Sequence, residues 1–600
     1  MTYLSESEVQ VAPRSGLVLL QVLIMSMFCI FSLRLWYLQV IKGASLAEQA
    51  RVNQHREELI YAPRGQLRDR NAVLLAVNRP SYALTLVRED CRDQEGTLAQ
   101  VSQWTGIEHE VLRKRFDQGR RRVKPFERLV LVPDVTTEIV AQVEANVMFW
   151  PGLEIMVRPR RIYPQGRTMA HVLGYVAEAS EEELEKDPLL GLGDLVGKQG
   201  LEYVLERRLR GTKGLNEIEV DVLGRHLNKE MARTPTGGED VTLSLDVKLQ
   251  EHAAKFIEDQ AGSIVVLDPY VGQVLALVTR PTYDNNSFTV GLSQRQWGAL
   301  LEHPRHPLQN RVIQSTYPPG SVWKLLVAAC GLHENAIIPG STFFCPGEYQ
   351  LGKLTFRCWH KGGHGMLNLR EALVHSCDVY FYQLAERLGV DRIARYAQIA
   401  GFGSPTGIDL PHEKGGLVPS REWKHKRFGD GWHGGETLNL GIGQGYILVQ
   451  PLQVARFVAA LMNGGHVFKP NLIAGALPFN QGELALTRVQ RDVILDAMVQ
   501  TVERGTAQII KRSDARLGAK TGTAQVVKIG QERQNTEDVP YTFRDHAWLA
   551  TWGQKDGQNY VVVCMVEHGG HGGTMAGPVV RGVYDYLFGP SKTDKPGKQG

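Results

Sequence analysis

Tyr317-Pro-Pro-Gly-Ser-Val-Trp-Lys324 closes a proline-rich loop and opens an apolar helical run, Leu325-Leu-Val-Ala-Ala-Cys330. Ser321 and Lys324 stand three positions apart, so on a helix they share a face and the amine reaches toward the hydroxyl. A serine hydroxyl is a weak nucleophile until a base takes its proton, and a desolvated lysine can be that base. A helix start also aims free N–H groups at developing negative charge. Ser-x-x-Lys alone has little specificity, because a capped surface helix produces the same pattern.

Two companions give the pair its meaning. Ser376-Cys-Asp378 stands where a helix rising from Leu369 turns out, just before Tyr380-Phe-Tyr382. Lys520-Thr-Gly-Thr523 lies inside a strand-like run, where the small Gly522 is expected to let a substrate backbone come close. Helix start, helix turn-out and strand, in this order, are the contexts that penicillin-recognising serine acyl enzymes require. Around them, runs 262–268 and 273–279 read as a hairpin, and 516–527, 546–551 and 560–566 as three later strands. With helices between and a closing helix at 579–587, this is an α+β domain on a five-stranded antiparallel sheet.

At the other end, residues 16–33 read GLVLLQVLIMSMFCIFSL without a charge. With Leu35-Trp-Tyr-Leu38 beyond Arg34, the stretch can cross a hydrocarbon core of about 30 Å. A cleaved signal peptide is the alternative, but the apolar run is long for one and no small-x-small cleavage site follows. Arg14 is offset by Glu6 and Glu8, while Arg34 and Lys42 follow, so charge does not fix the orientation.

A chain of 600 residues exceeds a single core. The expected order is a short cytoplasmic segment at 1–15, a transmembrane anchor at 16–38 and an elongated mixed α/β pedestal at 39–236. A catalytic domain at 237–590 and a disordered tail at 591–600 follow. The pedestal is rich in Arg and Glu, with strands expected at 81–87 and 129–132 and helices at 135–147 and 181–190. Thr234-Pro-Thr-Gly-Gly238 reads as a linker. A net charge of +4 gives no nucleic-acid signal.

Three of the seven cysteines cluster in polar, glycine-rich sequence. Cys345, Cys358, His364 and Cys377 offer three thiolates and an imidazole, the donor set of a closed tetrahedral zinc site. His360 and His375 are the alternative nitrogen donors. A Cys345–Cys358 disulfide with a buried Cys377 is the competing arrangement, since an oxidising compartment does not favour free thiols. A zinc there would be structural and would brace Ser376 and Asp378. His568-Gly-Gly-His-Gly-Gly573 reads as an active-site rim loop rather than a metal site.

The chain resembles the class B penicillin-binding proteins, and among them the penicillin-binding protein 2 type. The matches include Asn53, Ala62-Pro-Arg-Gly65, Asp69-Arg-Asn71, Arg161-Ile-Tyr-Pro164 and Gly197 to Glu202. Asn310-Arg311, Thr406-Gly-Ile-Asp-Leu-Pro411, Gly441-Ile-Gly-Gln-Gly445 and Asp545-His-Ala-Trp548 continue them. Ala72 departs from the family's glycine, and Asp378 favours the elongation type over the division type, which usually has Asn.

The resemblance implies a peptidoglycan D,D-transpeptidase of cell elongation and a β-lactam target. Ser321 would be the nucleophile, Lys324 its base, and Ser376 and Asp378 a proton relay that also holds the substrate. Lys520, counted with the catalytic residues, and Thr523 would bind the terminal carboxylate of the D-Ala-D-Ala stem or of a β-lactam. Thr521, Gly522 and Thr523 would form the substrate-binding strand, and the Ser321 and Thr523 N–H groups the oxyanion hole. It further implies a single pass through the inner membrane with the bulk periplasmic, and partners of the RodA polymerase and MreC scaffold types. Some relatives hold a metal at the place of the Cys/His cluster; no organic cofactor is implied. A division-type transpeptidase, a D,D-carboxypeptidase, a β-lactamase or a β-lactam sensor on the same fold are the alternatives.

Overall fold

The computed structural model describes residues 14–47, 55–220, 226–526 and 539–590. Asn53, the 591–600 tail, the last residue of the expected 516–527 strand and all but the end of the 1–15 segment lie outside them. The chain forms two compact units, Met1–Ala62 with Gly211–Gly237, and Pro63–Arg210 with Gly238–Gly600.

In the first unit a helix runs Arg14–Trp36 and continues as a π-helical turn over Tyr37–Ile41. Within Ser15–Ile41, 27 residues long, an 18-residue stretch reaches a mean hydropathy of 2.4, and none of that stretch is buried. At 1.5 Å per residue the segment is about 40 Å long, enough to cross a bilayer. Strands His55–Ile60, Gly214–Val220 and His226–Arg233 make a three-stranded antiparallel sheet with Gly214–Val220 in the middle. Asn216, Ile218 and Val220 are buried while Glu217 is exposed, the period of two that a one-sided sheet requires.

The second unit begins with a sheet built on the long strand Leu74–Leu86, flanked by Leu129–Val135 and Leu153–Ile162. The two expected strands lie in this sheet. The expected helices are Thr137–Asn146 and Glu181–Lys186. The second stops early because Asp187 precedes Pro188, and a pre-proline residue disfavours helical angles.

The family motifs of this region converge on one buried carboxylate. Arg64 Nε and Arg161 Nε each lie 2.7 Å from Glu202, which is fully buried. Ala72 adopts φ +63, so a turn in which glycine was expected is kept here by alanine in the left-handed region. The turn is held by the Asp69 carboxylate, which accepts from the Asn71 and Val73 N–H groups at 2.8 Å each.

The catalytic sheet has five antiparallel strands, in the order Val274–Arg280, Gly262–Leu267, Gln558–Val566, His546–Lys555, Arg516–Ala524. One face packs on Val247–Lys255 and the C-terminal helix; the other faces the helices that carry the catalytic motifs. Asp246 caps the first of these helices, accepting from Lys248 and Leu249 N–H. The C-terminal helix spans Gly572–Phe588, several residues longer at its start than expected. Gly572, Gly573, Gly577 and Pro578 are poor helix formers, and packing against the sheet overrides their propensity.

Candidate active site

Ser321 sits in a 3-10 turn, Gly320–Trp323, that runs directly into the helix Lys324–His333. The loop before it is tied down on several sides. Tyr317 pairs with Val449 through both backbone groups, Gly320 N donates to Gly443 O at 2.9 Å, and Trp548 Nε1 donates to Pro318 O at 3.1 Å. Tyr317 Oη donates to Glu567 at 2.6 Å, and Arg311 pairs with the same carboxylate at 3.0 Å. Gly320 has φ +51, and a Cβ there would lie 2.6 Å from Thr523 O, so only glycine fits.

Lys324 is fully buried. Its amine donates to Asp378 Oδ1 at 2.7 Å, to Ser376 O at 2.8 Å and to Ser376 Oγ at 3.3 Å. Lys520, also fully buried, donates to the same Ser376 Oγ at 2.8 Å. One serine hydroxyl therefore bridges two lysines. Burial, reinforced by the Lys324 charge, holds the Lys520 amine well below the ordinary lysine range. Ser376 reaches this position with φ +50, in the break between helices Leu369–Val374 and Asp378–Leu388. A non-glycine residue in that region stores strain of the kind found at functional sites.

Asp378 is occupied on both sides, with Lys324 on Oδ1 and the Trp359 N–H on Oδ2 at 3.0 Å. Gly522 is also required to be small for a reason internal to the fold. A Cβ there would come within 3.0 Å of Val322 Cγ2, Pro319 O and Trp548 Cβ, so the chain itself makes the close approach. The strand is pressed onto the loop that leads into Ser321. Thr521 Oγ1 shares a hydrogen bond of 2.7 Å with Thr506 Oγ1, and Gln444 Nε2 donates to Thr523 O at 3.3 Å.

Ser321, Ser376, Asp378, Thr521, Gly522 and Thr523 all line one open cavity of about 2110 Å³, with Lys324 and Lys520 beneath its floor. All the expected catalytic and substrate residues thus meet in one place. Thr506, Asn439 and the Trp359 N–H were not marked in the sequence: the first two carry no motif, and the third acts through its backbone. His571 reaches the cavity wall, and His568 is held behind it by Arg544 O and the His546 ring, so the loop is a rim.

Residues 262–585 match the penicillin binding protein transpeptidase domain, and 59–243 the penicillin-binding protein dimerisation domain. The peptidoglycan D,D-transpeptidase MrdA of Haemophilus influenzae is 34% identical over 571 residues, covering 90% of this chain and 86% of that one. MrdA of Escherichia coli K12 is 33% identical over 589 residues, covering 94% and 92%. The chain belongs to the class B penicillin-binding proteins, of the penicillin-binding protein 2 type. Among solved structures, penicillin-binding protein 2 in its complex with MreC from Helicobacter pylori superposes with a TM-score of 0.79 at 29% identity, over 89% of this chain and 99% of that one. Penicillin-binding protein 2 of Pseudomonas aeruginosa gives 0.67 at 31% identity, over 90% and 99%. A peptidoglycan synthase complex gives 0.72 at 30%, over 97% and 99%. With its apolar N-terminal helix, this penicillin-binding protein is a single-pass membrane protein with a large soluble part.

Beside its middle motif, this penicillin-binding protein brings Cys345, Cys358, His364 and Cys377 together, with donor atoms all within 4.8 Å of one another. His364 Nδ1 lies 3.5 Å from both Cys345 Sγ and Cys358 Sγ, and none of the three cysteines is in a disulfide. The hydrogen bond with Cys377 pushes the Cys358 thiol down to about 5 and drives Cys377 up. Ligand bonds of about 2.0–2.3 Å in a tetrahedron place donors roughly 3.5 Å apart, so the set fits a zinc ion. His360 and His375 bond elsewhere, to Gly363 O and Glu371. This is the only such group among the described residues.

Proposed function

We propose that this elongation-type D,D-transpeptidase works through an acyl-enzyme on Ser321. The observation that carries the mechanism is the Ser376 hydroxyl held between the Lys324 and Lys520 amines. Two buried lysines this close favour one proton vacancy between them, and burial assigns it to Lys520. Lys324 enters as an ammonium paired with Asp378. A proton passed from Lys324 through Ser376 Oγ to Lys520 leaves Lys324 able to accept the Ser321 proton as Oγ attacks the penultimate D-Ala carbonyl. The Ser321 and Thr523 N–H groups receive the oxyanion, and Thr521 and Thr523 hold the terminal carboxylate. Collapse breaks the peptide bond, and the leaving D-Ala amine takes the proton back. An amine from a neighbouring stem peptide then attacks the ester, loses a proton to the same pair and restores Ser321.

The bulk of the chain lies on the periplasmic side of the inner membrane, where the stem peptides are. A RodA-type polymerase and an MreC-type scaffold are its partners, supported by the synthase complex and the MreC complex among its structural relatives. Cys345, Cys358, His364 and Cys377 would hold a zinc ion whose contribution is to fix the turn that presents Ser376 and Asp378. Elemental analysis tests this: one zinc per chain is expected, and no zinc with two oxidised thiols contradicts it. Stopped-flow reaction with a fluorescent penicillin tests the mechanism. A long-lived adduct is expected, whereas rapid turnover would indicate a β-lactamase.

A further inference from the structure

Four aromatic rings gather outside the catalytic machinery. Tyr446 lies 5.2 Å from Trp423, 5.6 Å from Phe428 and 6.4 Å from Trp432, and Trp423 and Phe428 lie 5.7 Å apart. Phe428 is 54% exposed and the other three are half-buried, so their faces are left partly open to water. The segment is not loose. Lys424 is buried and pairs with Glu436 at 2.7 Å and Asp430 at 3.3 Å, while Trp432 Nε1 donates to Thr437 at 2.8 Å. Ordered apolar surface left partly open to water in this way marks a binding face.

We propose that Trp423, Phe428, Trp432 and Tyr446 form a stacking platform for the amino-sugar strand of the peptidoglycan substrate. This rests on the transpeptidase reading and adds a subsite to it. Continuity with the catalytic cavity selects the occupant. Gln444 and Gly445, immediately before Tyr446, line that cavity, as does Asn439 at the end of the helix that follows Trp432. Gly435, in the same helix as Asn439, lies against Phe356, another lining residue, where a Cβ would come 3.0 Å from its ring. A stem peptide threaded to Ser321 must carry its sugar out over a rim of this cavity, and Gln444-Gly445-Tyr446 leads from the cavity lining directly to these four rings. Pyranose rings present C–H faces that pack on aromatic rings and keep their hydroxyl edges in water, which suits half-exposed Trp and Tyr. The helix Arg421–Phe428 adds His425, Lys426 and Arg427, complementary to the lactyl and stem-peptide carboxylates on such a strand.

The test uses full-length protein in detergent and glycan strands stripped of stem peptides by an amidase. Wild type is expected to bind the strands, and a Trp423→Ala/Phe428→Ala double variant to bind about tenfold more weakly. Acylation of Ser321 by a fluorescent penicillin should be unchanged, because neither ring touches the serine motifs. Phe428→Tyr, which keeps a ring at this position, should retain most of the wild-type affinity that Phe428→Ala loses. Absence of binding by wild type, undiminished binding by the variants, or binding only to phosphatidylglycerol vesicles would overturn the proposal. Failure of wild type to form a penicillin adduct would instead sink the transpeptidase mechanism. If the double variant loses acylation as well, Phe428→Ala alone, the most exposed ring, decides between the outcomes.

Discussion

The Lys324 amine meets the Asp378 carboxylate at 2.7 Å in a site where the lysine is fully buried. The other oxygen of Asp378 holds the Trp359 N–H, so one carboxylate pairs with the buried amine and anchors the segment carrying Cys358. Asp378→Ala leaves an unpaired buried ammonium and is expected to destabilise the protein by about 3 kcal/mol. Thermal unfolding checks this; a melting temperature within a degree of wild type would contradict it.

Lys520 carries the pH dependence. Its amine titrates well below the ordinary lysine value, so it binds fewer protons folded than unfolded across the interval between the two. Stability therefore rises with pH through that interval, and acylation rises as Lys520 loses its proton. Lys520→Arg, which cannot deprotonate, should abolish the rising limb of the acylation-rate profile. A variant that keeps the wild-type limb would assign the titration elsewhere.

His546 is held neutral by burial, with its pKa pushed down to about 4, and its neighbours His568 and Glu567 act in opposite senses. The unfolded imidazole takes a proton near 6.5, so stability is lost as the pH falls from about 6.5 toward 4. His546→Asn keeps an acceptor for the His568 N–H and should flatten this slope. Urea titrations at pH 7 and pH 5 measure the difference.

Gly522→Ala should slow acylation by roughly a hundredfold, because the new Cβ lifts the strand from Pro319 and Val322 and displaces the carboxylate site from Ser321. The effect belongs in the acylation rate constant. Unchanged acylation would mean that the loop yields without cost.

Cys345→Ser should abolish zinc binding at the proposed site and lower the melting temperature, with slower acylation because Ser376 and Asp378 flank Cys377. Zinc content, melting and acylation measured on the same preparation check the link. Loss of zinc with normal acylation would confine the cluster to stability.

Much of this molecule was legible in its sequence. The three serine motifs sit where a helix start, a helix break and a strand were expected, because apolar periodicity and motif chemistry are local. The Cys/His set was legible for the same reason: thiols and imidazoles gathered in glycine-rich sequence have few structural uses. What escaped is non-local. The C-terminal helix begins among glycines and contains Pro578, and only packing on the sheet makes it helical. The need for glycine at 522 was legible only in part: Pro319 and Val322, about 200 positions away in sequence, and Trp548 on the neighbouring strand also crowd that position. Trp359 contributes a backbone N–H, which no residue pattern announces.

The central claim is that Ser321 carries the acyl group, and mass mapping of the peptide labelled by a fluorescent penicillin tests it most directly. The account predicts a single adduct on Ser321, absent in Ser321→Ala protein that still folds. An adduct on any other residue, or labelling that survives in Ser321→Ala, would contradict it.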